Sequence, residues 1–191
     1  MVGAGSFGTA IAQTISSSVS EVFLFGRDTD VLRSINMHRI NQRYHPFIHL
    51  KPNIRALHIS KDTRLLRDSD LVIFSVPSGV TRQVTHALSH YLEGATVIST
   101  AKGVEYPSMF TMSKVITDET IDVSASSFSG ATFADELIQE AFSCGTLGID
   151  KKSNSTDSTH AKSASVRSKR VYISDSIPET LAFEFEWTSL C

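Results

Sequence analysis

Gly3, Gly5 and Gly8 lie in the run Gly3-Ala4-Gly5-Ser6-Phe7-Gly8, a spacing that suits the paired phosphates of a nucleotide. At a strand-to-helix corner the first glycine permits a tight turn, the second lets the backbone approach a pyrophosphate, and the third lets the helix pack closely on the sheet. The first amides of that helix and the positive end of its dipole then face the anion. Glycine runs of this length also arise by chance, so the residues around them decide the reading. About 20 residues on, Val22-Phe23-Leu24-Phe25 ends at Gly26-Arg27-Asp28, where the adenosine ribose of a bound dinucleotide belongs. A guanidinium there can clamp a ribose 2′-phosphate, whereas a carboxylate favours the free hydroxyl. Arg27 therefore leans toward NADP, and the adjacent Asp28 keeps NAD open. A solvated strand-end charge is the plainer reading of Arg27.

Two further segments, Val76-Pro77-Ser78 and Ala101-Lys102-Gly103-Val104-Glu105, fall at the carboxyl ends of expected strands, where an open parallel sheet binds its ligands. Lys102, followed by a glycine, can present its ammonium to a substrate phosphate or carbonyl; the alternative is an ordinary surface lysine. His45 and His49, with His38 and His58 nearby, bring metal binding to mind. Pro46 interrupts any helix that would align them and no carboxylate pair accompanies them, so no metal is expected. No Gly-x-Ser-x-Gly elbow is present, which argues against a serine hydrolase. Met109 and Met112 read as core fillers of a helix.

Residues 1–142 alternate short apolar runs with helix-like stretches, the pattern of βαβ units winding a parallel sheet with helices on both faces. Strands are expected at Glu21–Phe25, Ile54–Ile59, Asp70–Val76 and Thr96–Thr100, with a serine-rich sixth candidate at Val123–Ser129. Helices are expected at Phe7–Ser16, Asp30–Asn41, Asp62–Asp68, Gly79–Tyr91 and Pro107–Thr117, each following a turn or capping signal. Residues 143–170 read as a polar loop or linker, and Lys151–Arg170 in particular has too little apolar surface to offset its ordering entropy. Residues 171–191 read as one short strand, Val171-Tyr172-Ile173, and a tail.

A chain of 191 residues suffices for one sizeable core with an appendage. Its net charge of -2 offers no field for nucleic acid or an anionic membrane, and the basic residues of 151–170 lack aromatics for base stacking. A small-molecule site is the better expectation. Cys144 and Cys191 form neither a disulfide framework nor a thiolate metal pair, which suits a reducing cytoplasm. The apolar run Leu71–Val76 is far too short to span a bilayer.

Taken together, Gly3–Ala10, Gly26-Arg27-Asp28, Val76-Pro77-Ser78, Ala101–Glu105 and Ser129-Gly130-Ala131-Thr132-Phe133-Ala134 resemble the bacterial type of NAD(P)-dependent glycerol-3-phosphate dehydrogenase. The resemblance covers residues 1 to about 142 and implies a Rossmann-like domain that reduces dihydroxyacetone phosphate to sn-glycerol 3-phosphate for glycerophospholipid synthesis. It implies that Ser6, Phe7 and Arg27 contact the nucleotide and that Ala134 lines the cofactor. Lys102 would meet both cofactor and substrate, and Gly130 and Thr132 the substrate. Ala131 stands where the family usually has proline.

Other departures concern the ends. Only Met1 and Val2 precede Gly3, so the first strand is expected to be largely missing and its neighbours to lose a ladder. The family's proton-transferring lysine belongs to a helical C-terminal domain, and where it should follow the chain reads Ile177–Glu184, so no catalytic residue is assigned. A non-catalytic dinucleotide-binding remnant and a different Rossmann oxidoreductase remain as alternatives. Association into a homo-oligomer is compatible with the family.

Overall fold

The computed structural model describes residues 1–141, 143–149 and 161–166. Its strands are β1 (Val22–Gly26), β2 (Ile54–His58), β3 (Leu71–Phe74), β4 (Thr96–Ser99), β5 (Ser124–Ala131), β6 (Ser143–Ile149) and β7 (Ala161–Val166). Its α-helices are α1 (Ser6–Ile15), α2 (Thr29–His38), α3 (Ser78–Leu88), α4 (Met112–Glu119) and α5 (Ala134–Ile138). β1 pairs with β2, β3 with β4 and β4 with β5, all parallel, whereas β5, β6 and β7 pair antiparallel.

The slot between β1 and β3 is filled by Met1–Gly3. Val2 bridges both Phe25 and Phe74 in parallel fashion. The amide of Val2 donates to Ile73 O at 2.7 Å and that of Gly3 to Phe25 O at 2.9 Å. In return Phe25 N donates to Met1 O at 2.8 Å and Ser75 N to Val2 O at 2.7 Å. The α-amino group of Met1 adds a bond of 2.8 Å to Phe23 O. The first strand is indeed short, but its neighbours do not lose their ladder at the level of the phosphate turn.

Alternate side chains of the central strands feed two cores. Leu24, Ile73 and Ile98 meet Ala10, Ile11, Val31, Ile35 and Leu137 from α1, α2 and α5 on one face. Phe25, Val72, Phe74 and Val97 meet Leu88, Leu92 and Ile116 from α3, α4 and the turn between them on the other. Burial on both faces explains why β1, β3 and β4 read as continuous apolar runs rather than alternating ones.

Some element boundaries differ from expectation. The Asp62–Asp68 helix is a single 3₁₀ turn at Thr63–Leu66, and the helix starting at Gly79 ends in another at Ser89–Tyr91. α4 starts five residues later than Pro107, because Thr111 accepts from Lys114 N at 3.4 Å and caps it there. Met112 is consequently buried, while Met109, in the preceding turn, is exposed rather than a core filler.

The larger correction concerns residues 143–170, expected to be a polar loop, which contain β6 and β7. The backbone explains it. On its edge away from β4, β5 has an open ladder, and an antiparallel strand satisfies those groups whatever its side-chain polarity. Small residues in β6 make room as well: a Cβ at Gly145 would lie 2.4 Å from the ring of Phe128, its diagonal neighbour on β5. Residues 171–191, with their expected short strand, lie outside the described residues.

Val2 is 3% exposed and joins the two halves of the sheet. Val2→Ala should cost about 2 kcal/mol of unfolding free energy in urea titrations, from lost burial plus the cavity left. A change below about 0.5 kcal/mol would show that the slot is held without it.

Candidate functional site

The glycine run forms the strand-to-helix corner that its spacing requires. Gly3 has φ +116°, and a Cβ there would lie 2.2 Å from Ser75 O. A Cβ at Gly8 would lie 1.9 Å from Gly3 O, so α1 reaches the sheet at this point only with glycine. Gly5 differs from both. A Cβ on it would meet nothing within 4 Å, and it occupies the N-cap of α1 without a side-chain acceptor for the first amides. Open space in front of uncapped amides, on a helix of 10 residues, is the arrangement an anion needs. Ser6 is half-buried at the first position, and Phe7 packs partly against the core beside α1.

Two residues that the sequence reading did not assign to the site hold this turn from behind. Asn41 is fully buried, and its Nδ2 donates to Ala4 O at 3.3 Å and to Thr9 Oγ1 at 2.8 Å. His45 is 4% exposed, with Nε2 2.9 Å from Ser6 O and 3.2 Å from Ser6 Oγ. A carbonyl only accepts, so Nε2 carries the proton. On the other side of the ring, Nδ1 lies 3.7 Å from a carboxylate oxygen of Asp135 at the start of α5. His45, weighed above only as a metal ligand, is thus a strut between the phosphate turn and α5. No sequence signal assigned Asn41 or His45 to the turn, because their side-chain partners lie more than thirty residues away and include backbone carbonyls.

At the tip of β1 the two charged neighbours separate. Asp28 caps α2, accepting from Asp30 N at 3.0 Å and Val31 N at 3.3 Å, and pairs with Arg43 at 2.7 Å. Its carboxyl is held below the usual range, first by the Val31 amide and further by the Asp30 amide and Arg43. Arg27 is exposed and has no hydrogen bond or ion pair among the described residues.

The second cluster lies past β4 and β5. Lys102 is exposed, and its Nζ donates to Gly130 O at 3.3 Å, bringing two of the expected substrate contacts together. Thr132, the third, is 3% exposed, and its hydroxyl has no partner among the described residues. It follows Ala131, which pairs with Cys144, so it stands opposite Ser143, whose buried hydroxyl likewise has none among them. Ala134 opens α5 and packs half-buried against the same core as α1.

Beneath Lys102 lies a dense ionic cluster. Arg82 of α3 forks onto Glu105, with Nε 2.7 Å from Oε1 and Nη2 2.9 Å from Oε2. Its Nη1 meets Asp118 at 2.7 Å and also Glu119. His86 Nδ1 reaches the other oxygen of Glu119 at 2.9 Å. The hydrogen bond from Arg82, followed by one from Ser108, lowers the Glu105 carboxyl from 4.5 to about 2. Glu119 is lowered as well, by Arg82 and then His86. Among the described residues no group of three or more His, Cys, Asp or Glu is placed to hold a metal ion. No helix among them is long and apolar enough to cross a membrane.

Comparison with known proteins gives a consistent match. The family model described as NAD-dependent glycerol-3-phosphate dehydrogenase N-terminus matches residues 1–155. Glycerol-3-phosphate dehydrogenase (NAD(P)+) of Methanothermobacter thermautotrophicus is 41% identical over 152 residues, covering 80% of this chain and 47% of that protein. The enzyme of the same name from Teredinibacter turnerae is 36% identical over 155 residues, covering 80% and 45%. The solved glycerol-3-phosphate dehydrogenase of Coxiella burnetii superposes with a TM-score of 0.71 at 21% identity, covering 78% of this chain and 46% of that one, a likeness of fold. The chain spans about half the length of the curated relatives it matches.

Two measurements check this geometry. Asn41→Ala should destabilise the chain by about 1–3 kcal/mol in denaturant titrations, since it leaves Ala4 O and Thr9 Oγ1 without their buried donor; a neutral result would remove Asn41 from the turn. Glu105 is depressed in the fold, so its pairing stabilises the chain above its ordinary 4.5 and loses that effect as pH falls toward about 2. Carboxyl carbon NMR should show Glu105 titrating near 2, and clearly higher in Arg82→Gln, where the Ser108 bond remains. Identical midpoints in the two proteins would contradict the fork.

Proposed function

Because the chain belongs to the NAD-dependent glycerol-3-phosphate dehydrogenase N-terminus family, we propose that it is the dinucleotide-binding part of an oxidoreductase acting on dihydroxyacetone phosphate and sn-glycerol 3-phosphate. The observation that carries the proposal is the corner at Gly3–Gly8. Its amides open onto unfilled space at Gly5, while the close approaches at Gly3 and Gly8 exclude any other residue. The residues present fit a nicotinamide dinucleotide. Amides of the first turn of α1 would take the pyrophosphate, Ser6 and Phe7 would flank it, Arg27 would meet the adenosine end, and Ala134 would line the cofactor.

NADP is the preferred form in this reading. Asp28, the carboxylate that would favour a free 2′-hydroxyl, is engaged by the cap of α2 and by Arg43. Arg27, at the same strand tip, has no ion pair among the described residues. A bidentate clamp on a 2′-phosphate gives that charge a partner.

A bound nicotinamide supplies the hydride; the chain supplies the surroundings of the ketone. Lys102, resting on Gly130 O, offers an ammonium to the substrate phosphate or to the oxygen where negative charge develops. Thr132 offers a buried hydroxyl with no partner among the described residues. The substrate is a small phosphorylated ketone, and the working compartment is the cytoplasm, where the product feeds glycerophospholipid synthesis.

Fluorescence titration should show NADPH binding to the chain. Arg27→Ala should weaken NADPH at least about tenfold while changing NADH less than about threefold. Equal losses for the two cofactors would remove the 2′-phosphate role, and no binding of either would overturn the functional reading. NADPH oxidation that depends on dihydroxyacetone phosphate and is lost in Lys102→Ala would support catalysis by this chain; binding without turnover would restrict it to cofactor binding.

A further inference from the structure

The ionic cluster around Arg82 does more than join two helices. Lys102 sits at the start of the connection from β4 to α4, a segment of exposed residues with little packing of its own. It is closed on itself where Val104 bridges Thr111 and where Glu105 N donates to Phe110 O at 2.9 Å. Its one ion pair to the body of the protein, among the described residues, is Glu105 to Arg82. Arg82 is itself fixed by Asp118 and Glu119 of α4, the helix in which the connection ends. Two residues separate Lys102 from Glu105, and one of them, Gly103, has φ +110°. A glycine beside the lysine leaves its direction to be set from outside.

Resting on the functional reading above, we propose that Arg82 is a positioning residue that holds Lys102 over Gly130 by anchoring Glu105. The planar fork supports this role over a single point charge. Two parallel bonds fix the orientation of the Glu105 carboxylate as well as its distance. Ser108 Oγ, 2.6 Å from Glu105 Oε2, ties the far side of the turn to the same carboxylate. Released from Arg82, the connection keeps its internal bonds and the bonds of Thr100 to Phe74 O before Lys102, but among the described residues nothing past Gly103 ties it to α3, and Lys102 samples positions away from Gly130. Arg82 touches neither cofactor nor substrate in this scheme. Its whole effect passes through Lys102.

The test uses the full 191-residue chain and two readouts. The first is modification of Lys102 by a small amine-reactive ester, followed by mass spectrometry without any cofactor. Glu105→Gln and Arg82→Gln should each raise the Lys102 rate several-fold relative to other exposed lysines such as Lys61. The second is NADPH affinity in a double-mutant cycle. Lys102→Ala should weaken binding about tenfold and Glu105→Gln about three- to tenfold, with the double variant no weaker than Lys102→Ala alone. A merely structural contribution of the cluster would instead multiply the two losses. Glu105→Gln leaves Arg82 paired with α4, so it serves if Arg82→Gln fails to fold. Unchanged Lys102 labelling, or multiplicative losses, would overturn the proposal while the functional reading stands. If the wild-type chain binds no NADPH, the functional reading fails, and the labelling arm alone decides whether Arg82 sets the position of Lys102.

Discussion

The carbonyl oxygen of Gly3 occupies the place where any side chain at position 8 would have to go. That single approach fixes how close α1 comes to the sheet, and with it the direction in which the uncapped amides point. It depends on Met1–Gly3 lying between β1 and β3, because the bonds of Val2 and Gly3 to both strands hold the turn at the carboxyl edge of the sheet. Two buried polar side chains, Asn41 and His45, then grip the turn through its own carbonyls. The amides on its other side are left over for a ligand.

The sites along that edge share a logic in which charge used for structure is separated from charge left available. Asp28 and Arg43 are spent on capping and pairing, and Arg27 is not. Glu105, Asp118 and Glu119 are all committed to Arg82, while Lys102, next in the same connection, is held only by a carbonyl. Desolvation opposes the shift at Asp28, Glu105 and Glu119 and is outweighed by hydrogen bonds. The shifted carboxyls respond first to hydrogen bonds, from Arg82 at Glu105 and from a backbone amide at Asp28.

The far side of the sheet is governed by the backbone more than by apolar burial. β5 leaves its parallel partner after Ser127 and pairs antiparallel with β6 through Ala131, which delivers Gly130 and Thr132 to the edge where Lys102 waits. Phe128, packed over Gly145, and its pair partner Leu147 anchor the antiparallel edge. A segment built on such a ladder is placed by register, and its small residues leave room beside Lys102.

Much of this was legible from residue order alone. The glycine spacing, the apolar runs of β1, β3 and β4, and the positions of Arg27 and Lys102 at strand ends all follow from local chemistry and from burial on two faces. Even the serine-rich β5 falls where the alternation of elements required a strand. What the sequence could not express were bonds to main-chain atoms far away. Asn41 stood at the end of an expected helix, His45 was weighed only as a metal ligand and nothing marked Arg82, because the partners of all three lie on other elements of the fold. Residues 143–149 and 161–166 looked like a linker because composition measures side chains, whereas a ladder is satisfied by backbone. Residue type and spacing determined which groups could bind a dinucleotide; the folded chain alone decided which of them its own bonds would consume, since only tertiary contact shows where each donor finds its acceptor.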